Sequence, residues 1–104
     1  MNTDQIIENA IRVAGATVAP RLTPDDIDAV IVSETYTTLP SGKVMVCELT
    51  LRNGFTVRGE ASVVSKANFK EEIGRQISRE NARNKVWELE GYLLQQFLWN
   101  TRME

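Results

Sequence analysis

The chain has 104 residues, 42% of them hydrophobic and 25% charged, with a net charge of −2. That is one globular domain, and its pI near 5.2 argues against duplex-DNA binding while leaving room for a local basic pocket. There is no histidine and one cysteine, Cys47, so the commonest neutral-pH base, a structural zinc site and an internal disulfide are all missing. No catalytic residue, metal or cofactor is assigned, and a binding protein is expected rather than an enzyme. No apolar run approaches the roughly 20 residues that span a membrane. The start, MNTDQIIENAIRVAG, has neither the basic residues nor the apolar stretch of a signal peptide. The expected location is the cytoplasm.

Residues 4–14 read as a helix: Thr3 can cap it, Ile6, Ala10, Val13 and Ala14 share a face, and Gly15 stops it. It belongs to a helical arm expected over 1–22. Thr23-Pro24-Asp25-Asp26 reads as an N-cap with proline in the first position, good for one short turn. Three strands are expected over 28–38, 43–52 and 55–63, an antiparallel meander occupying 27–64, with turns at Leu39-Pro40-Ser41-Gly42 and at Asn53-Gly54. A three-residue loop, Arg52-Asn53-Gly54, pairs Leu51 with Phe55, Leu49 with Val57 and Cys47 with Gly59. That collects the apolar residues on one face and sets Glu48 against Arg58 on the other. It requires a type I turn with Gly54 left-handed.

Asn68-Phe69-Lys70-Glu71 has the form of a capping box, and helix is expected over 68–100. Phe69, Ile73 and Ile77 make one apolar stripe, and Ala82, Val86, Leu89, Leu93 and Phe97 an offset second one. Either the helix breaks near residues 80–84, or it continues for roughly 48 Å, projecting from the domain to pack on a second copy. The fold class is α+β, one domain over 1–104, with 68–100 as its helical oligomerisation and binding segment.

Arg75, Arg79 and Arg83 recur every four residues and so share a helix face. They form either a phosphate clamp, for which guanidinium groups are well shaped, or a solvated stripe in which Glu71 pairs with Arg75. Phe55 and Phe69 are core residues or stacking platforms. Trp87, Tyr92, Phe97 and Trp99 lie on more than one helix face, more than a lone helix can bury, so some are expected to meet a second helix or protomer, core packing being the other reading. Cys47 reads as an inert apolar side chain, and Glu34, Glu48 and Glu60 as solvated partners of basic residues.

Three colinear runs carry a resemblance: Leu49 to Glu60 (LTLRNGFTVRGE), Glu72 to Ala82 (EIGRQISRENA, preceded by Asn68-Phe69) and Trp87 to Leu94 (WELEGYLL). They resemble the phage protein family named after gene forty-nine of phage N-four and gene sixty-six of phage Sf-six. Some members of that family resemble the Thoeris anti-defence proteins, oligomeric sponges that sequester cyclic ADP-ribose isomers or cyclic oligonucleotides without cleaving them. The resemblance implies a phage accessory protein acting in an infected bacterium. Arg75 and Arg79 would hold the ligand phosphates, and Asn68, Phe55 and Phe69 its base or ribose, while Arg83 is left at the surface. The alternative is a phage protein that binds a host protein through its C-terminal helix.

Overall fold

A computed structural model describes residues 20–102; the helix expected over 4–14, and nearly all of the arm that contains it, lie outside these. The first described element, α1 (Pro24–Val30), opens with a reciprocal cap. The Asp26 N–H donates to the Thr23 hydroxyl oxygen at 3.2 Å, and the Thr23 N–H donates to the Asp26 carboxylate at 2.9 Å. Ile27 and Val30 are buried one turn apart. Cap and burial together hold Asp28-Ala29-Val30 in helix where strand was expected, so the first strand starts three residues later.

Strands β1 (Ile31–Thr38), β2 (Val44–Leu51) and β3 (Thr56–Ser62) form an antiparallel sheet in that order. The β2–β3 register is the one the apolar pattern demands: Leu49 faces Val57, Cys47 faces Gly59 and Glu48 faces Arg58, with a 3.3 Å ion pair between the last two. The Gly54 N–H donates to the Leu51 carbonyl and the Leu51 N–H to the Phe55 carbonyl, both at 2.8 Å. Gly54 has φ +91°, as the expected turn requires.

β1 carries an irregularity that its sequence does not announce. Ile31 pairs with Leu51 but Ser33 pairs with Thr50, leaving Val32 as an extra residue. Strict alternation would put Ile31 on the face opposite Glu34, Tyr36 and Thr38. The bulge brings all four onto the face where Met45, Cys47, Leu49 and Leu51 are buried.

α2 (Glu71–Thr101) is one continuous helix of 31 residues, with no break near residues 80–84. Its sheet-facing side joins two small residues, Gly74 and Ser78, to the start of the second expected stripe, Ala82 and Val86, while the first stripe lies off it. Ser78 and Ala82 bring the helix backbone down onto β3. A Cβ on Gly59 would lie 2.2 Å from the Ala82 nitrogen and 2.4 Å from the Ser78 carbonyl oxygen. The polar stretch 79–85 does not break the helix because Ser78, Ala82 and Val86, four residues apart, keep it seated. Ile73 and Ile77, expected on the core side, are about half exposed.

Asn68 does not cap α2. Lys66–Asn68 forms a 3-10 turn, with the Asn68 N–H on the Ser65 carbonyl at 3.0 Å and the Phe69 N–H on the Lys66 carbonyl at 3.1 Å. Phe69 is extended and its ring lies against Gly74, which moves the helix start to Glu71 with Lys70 at the cap position. The core gathers Ile27, Val30, Cys47, Leu49, Leu51, Val57, Ala82 and Val86, with Leu22, Ile31, Tyr36, Trp87 and Leu89 packed around it.

Candidate functional site

Arg75 and Arg79 leave α2 one turn apart, beside the buried Gly74 and Ser78, and reach over β1. The bulge presents Glu34 and Tyr36 to them. Arg79 Nε donates to both Glu34 carboxylate oxygens, at 3.3 and 3.2 Å. The Tyr36 hydroxyl donates to the same carboxylate. The Arg75 guanidinium stands 4.8 Å from the centre of the Tyr36 ring, a cation–π distance, and its Nη2 bonds Glu71 at 3.1 Å.

The electrostatics follow from these contacts. The Tyr36 hydrogen bond, helped by Arg79 and Arg75 and opposed by partial burial, holds the Glu34 carboxyl below the usual carboxylate range. Burial, and then the bond to Glu34, push the Tyr36 phenol well up, so it stays a donor. Burial pushes the Cys47 thiol up, which keeps it a poor nucleophile.

The four charges of this array balance, Arg75 and Arg79 against Glu71 and Glu34. A phosphate binds here only by displacing a carboxylate. The Arg75–Glu71 pair is more than half exposed on both sides and is cheap to exchange, since such pairs contribute little. Arg79 is held by Glu34 through Nε alone among the described residues.

The other expected site residues lie elsewhere. Asn68 and Phe69 line a groove with Ala61, Val63, Ile73 and Ile77 on the β3 flank of α2. Phe55 sits at the hairpin end in a groove with Leu51, Leu89, Tyr92 and Leu93. It lies opposite Leu51, on the apolar face as expected, yet is 56% exposed because the core ends there. The structure therefore brings together Arg75 and Arg79 and adds Tyr36 and Glu34. Tyr36 escaped the sequence reading because the bulge that aims it inward has no glycine or other turn residue to mark it.

Arg83 is not a surface residue. It is 4% exposed, its Nε bonds the Asp28 carboxylate at 2.9 Å, and its Nη2 bonds the Pro24 carbonyl at 3.1 Å, tying α1 to α2. Beyond Leu89 the helix turns apolar side chains outward: Tyr92, Leu93, Phe97 and Trp99 are each more than half exposed. Trp87 packs against the core instead. Among the described residues no helix is long and apolar enough to cross a membrane.

A three-stranded meander carrying one long helix, with an arginine–tyrosine array on the helix flank, is a small α+β domain whose chemistry lies on its surface. Residues 22–98 match the model of the phage protein (N4 Gp49/phage Sf6 gene 66) family, and the chain belongs to that family. No curated protein and no solved structure matches it.

Proposed function

We propose that this phage protein works by sequestration. In this reading it holds a phosphate-bearing signal of the cyclic nucleotide class (a cyclic ADP-ribose isomer or a cyclic oligonucleotide) at the Arg75–Arg79 face and does not cleave it, as the sponges that some members of the family resemble do. The supporting observation is the placement of two guanidinium groups on one exposed flank beside the Tyr36 ring. Two arginines one turn apart suit a ligand with two phosphates. Sequestration needs affinity and no proton transfer, which suits a chain without histidine.

Isothermal titration with cyclic ADP-ribose isomers and cyclic dinucleotides, followed by heat release of the ligand, tests this. Saturable binding and recovery of intact ligand are expected. Arg75→Ala and Arg79→Ala should each weaken binding by roughly 10- to 100-fold, the worth of a hydrogen bond to a charged group. Altered ligand would point to an enzyme, and no binding at high micromolar concentration sinks the sponge for the ligands tried.

A second reading rests on the outer half of α2. The exposed Tyr92, Leu93, Phe97 and Trp99 form a surface for another helix, either a second copy, giving a homo-oligomer, or a host protein. Ultracentrifugation separates the two: a chain that stays monomeric at tens of micromolar leaves this surface to a host protein.

A further inference from the structure

The two edges of the sheet are treated differently. Along β3 the outward-facing groups belong to Thr56, Arg58, Glu60 and Ser62, because the Val63 N–H and the Phe55 carbonyl are turned toward β2. One of these groups is capped: the Asn81 side-chain amide donates to the Glu60 carbonyl at 2.8 Å. Along β1 the Leu39 N–H bonds the Val44 carbonyl, so the backbones of Thr37, Thr35 and Ser33 face β2 as well. Those of Glu34, Tyr36 and Thr38 face away from it. No described element bonds them. β1 also lacks the proline, lysine and brevity that usually blunt an edge; its one irregularity, Val32, lies at the start.

We infer that two copies of the chain join through β1, antiparallel about a two-fold axis at Tyr36, and that the ligand cleft lies on that axis. The register follows from the open groups. Centring on Tyr36 pairs Glu34 with Thr38 of the second copy, Tyr36 with its equivalent, and Thr38 with Glu34. All three outward residues then exchange both bonds, and no like charges stand opposite. Centring one residue earlier would bring the bulge at Val32 into the ladder and lose a pair. On the other face Thr35 meets Thr37 of the second copy.

Such a pairing makes a continuous six-stranded sheet with both α2 helices on one face. α2 lies over β3 and β2 and leaves β1 uncovered. With strands about 4.8 Å apart, the two helix axes stand about 20 Å from each other, and helices about 10 Å thick leave a cleft about 10 Å wide. Its floor is Glu34, Tyr36 and Thr38 of both copies, and its walls carry Arg75 and Arg79 of both. Four guanidinium groups facing across a two-fold suit a dianion lying on the axis once it displaces the exposed Glu71 from Arg75 of each copy. One chain presents half of this site. The ligand part of the inference rests on the sequestration reading; the pairing does not.

Disulfide trapping tests the edge by itself, whatever the outer half of α2 does. A Thr35→Cys chain mixed with a Thr37→Cys chain should give an oxidised heterodimer, and each chain alone should stay unlinked, since only 35 and 37 stand opposite. Linking in either chain alone, or none in the mixture, overturns the pairing. Thr38→Pro removes an outward N–H and leaves the β1–β2 ladder intact. In a chain that also carries Phe97→Gln and Trp99→Gln, it should weaken edge dimerisation at least 10-fold in ultracentrifugation with an unchanged circular dichroism spectrum, and full retention of that dimer overturns the register. Titration of the trapped dimer with cyclic dinucleotides should give one ligand per two chains. A trapped dimer that takes up no ligand overturns the sequestration reading and leaves the pairing standing.

Discussion

Gly59 makes the tightest approach of any glycine among the described residues. Its hydrogen is directed at the backbone of α2, and a methyl group there would come within 2.2 Å of the Ala82 nitrogen. Backbone atoms cannot rotate aside as a side chain can, so Gly59→Ala should lift the helix. The expected loss is about 3 kcal/mol or more in urea denaturation, at the upper end of overpacking costs. Glu34 supplies a second test at this scale. Its carboxyl titrates lower in the fold than in the unfolded chain. Its stabilising contribution is therefore present above the ordinary glutamate value of 4.5 and is lost as pH falls through the lowered one. Glu34→Gln should flatten the acid limb of a plot of Tm against pH, leaving the neutral region less stable than in the native chain.

At the scale of elements, what could be read from the sequence depended on whether the signal was local. The β2–β3 hairpin was legible to the residue, because Asn53-Gly54 and the alternation of Cys47, Leu49, Leu51 and Val57 agree on one register. The long helix was legible, and so was the Ala82–Val86 part of its core face, but Gly74 and Ser78 were not. They carry little hydrophobic signal, and Ser78 is selected by the approach of the helix backbone to Gly59, a contact distant in sequence. α1 was read too short for a related reason: the ion pair from the buried Arg83 that anchors it comes from 55 residues away. The arginine pair could be seen as a spacing, whereas its tyrosine and glutamate neighbours depend on a bulge. The outer half of α2 gives a test of this scale. Gly91 has nothing within 4 Å of a Cβ position and lies mid-helix, so Gly91→Ala should stabilise the chain by about 0.5–1 kcal/mol.

At the scale of the whole molecule, the described residues form an elongated body. Its extents are 52 × 32 × 18 Å and its radius of gyration 16.3 Å, against about 12–13 Å for a compact chain of this size. The excess is the run of α2 beyond Leu89, where side chains that a globule would cover stand in solvent. If this end meets a second copy, Phe97→Gln with Trp99→Gln should raise the dissociation constant of that contact at least about 30-fold, since aromatic anchors dominate such surfaces. The monomer should change by less than about 0.5 kcal/mol, as expected of substitutions at exposed positions. Chemical unfolding of dilute protein reads the second quantity and ultracentrifugation the first.

The seat of α2 on Gly59 also works as an index mark. A helix advances 1.5 Å and turns about 100° per residue, so sliding by one position would carry Arg75 and Arg79 off the β1 flank and drive a larger side chain into the strand. The chain between β3 and α2, residues 63–70, can therefore change length without disturbing the array, because the glycine, not the connection, decides which residues meet Glu34 and Tyr36. A residue inserted between Arg75 and Ala82 has no such freedom: it would uncouple the half of the helix that carries the arginines from the half that projects.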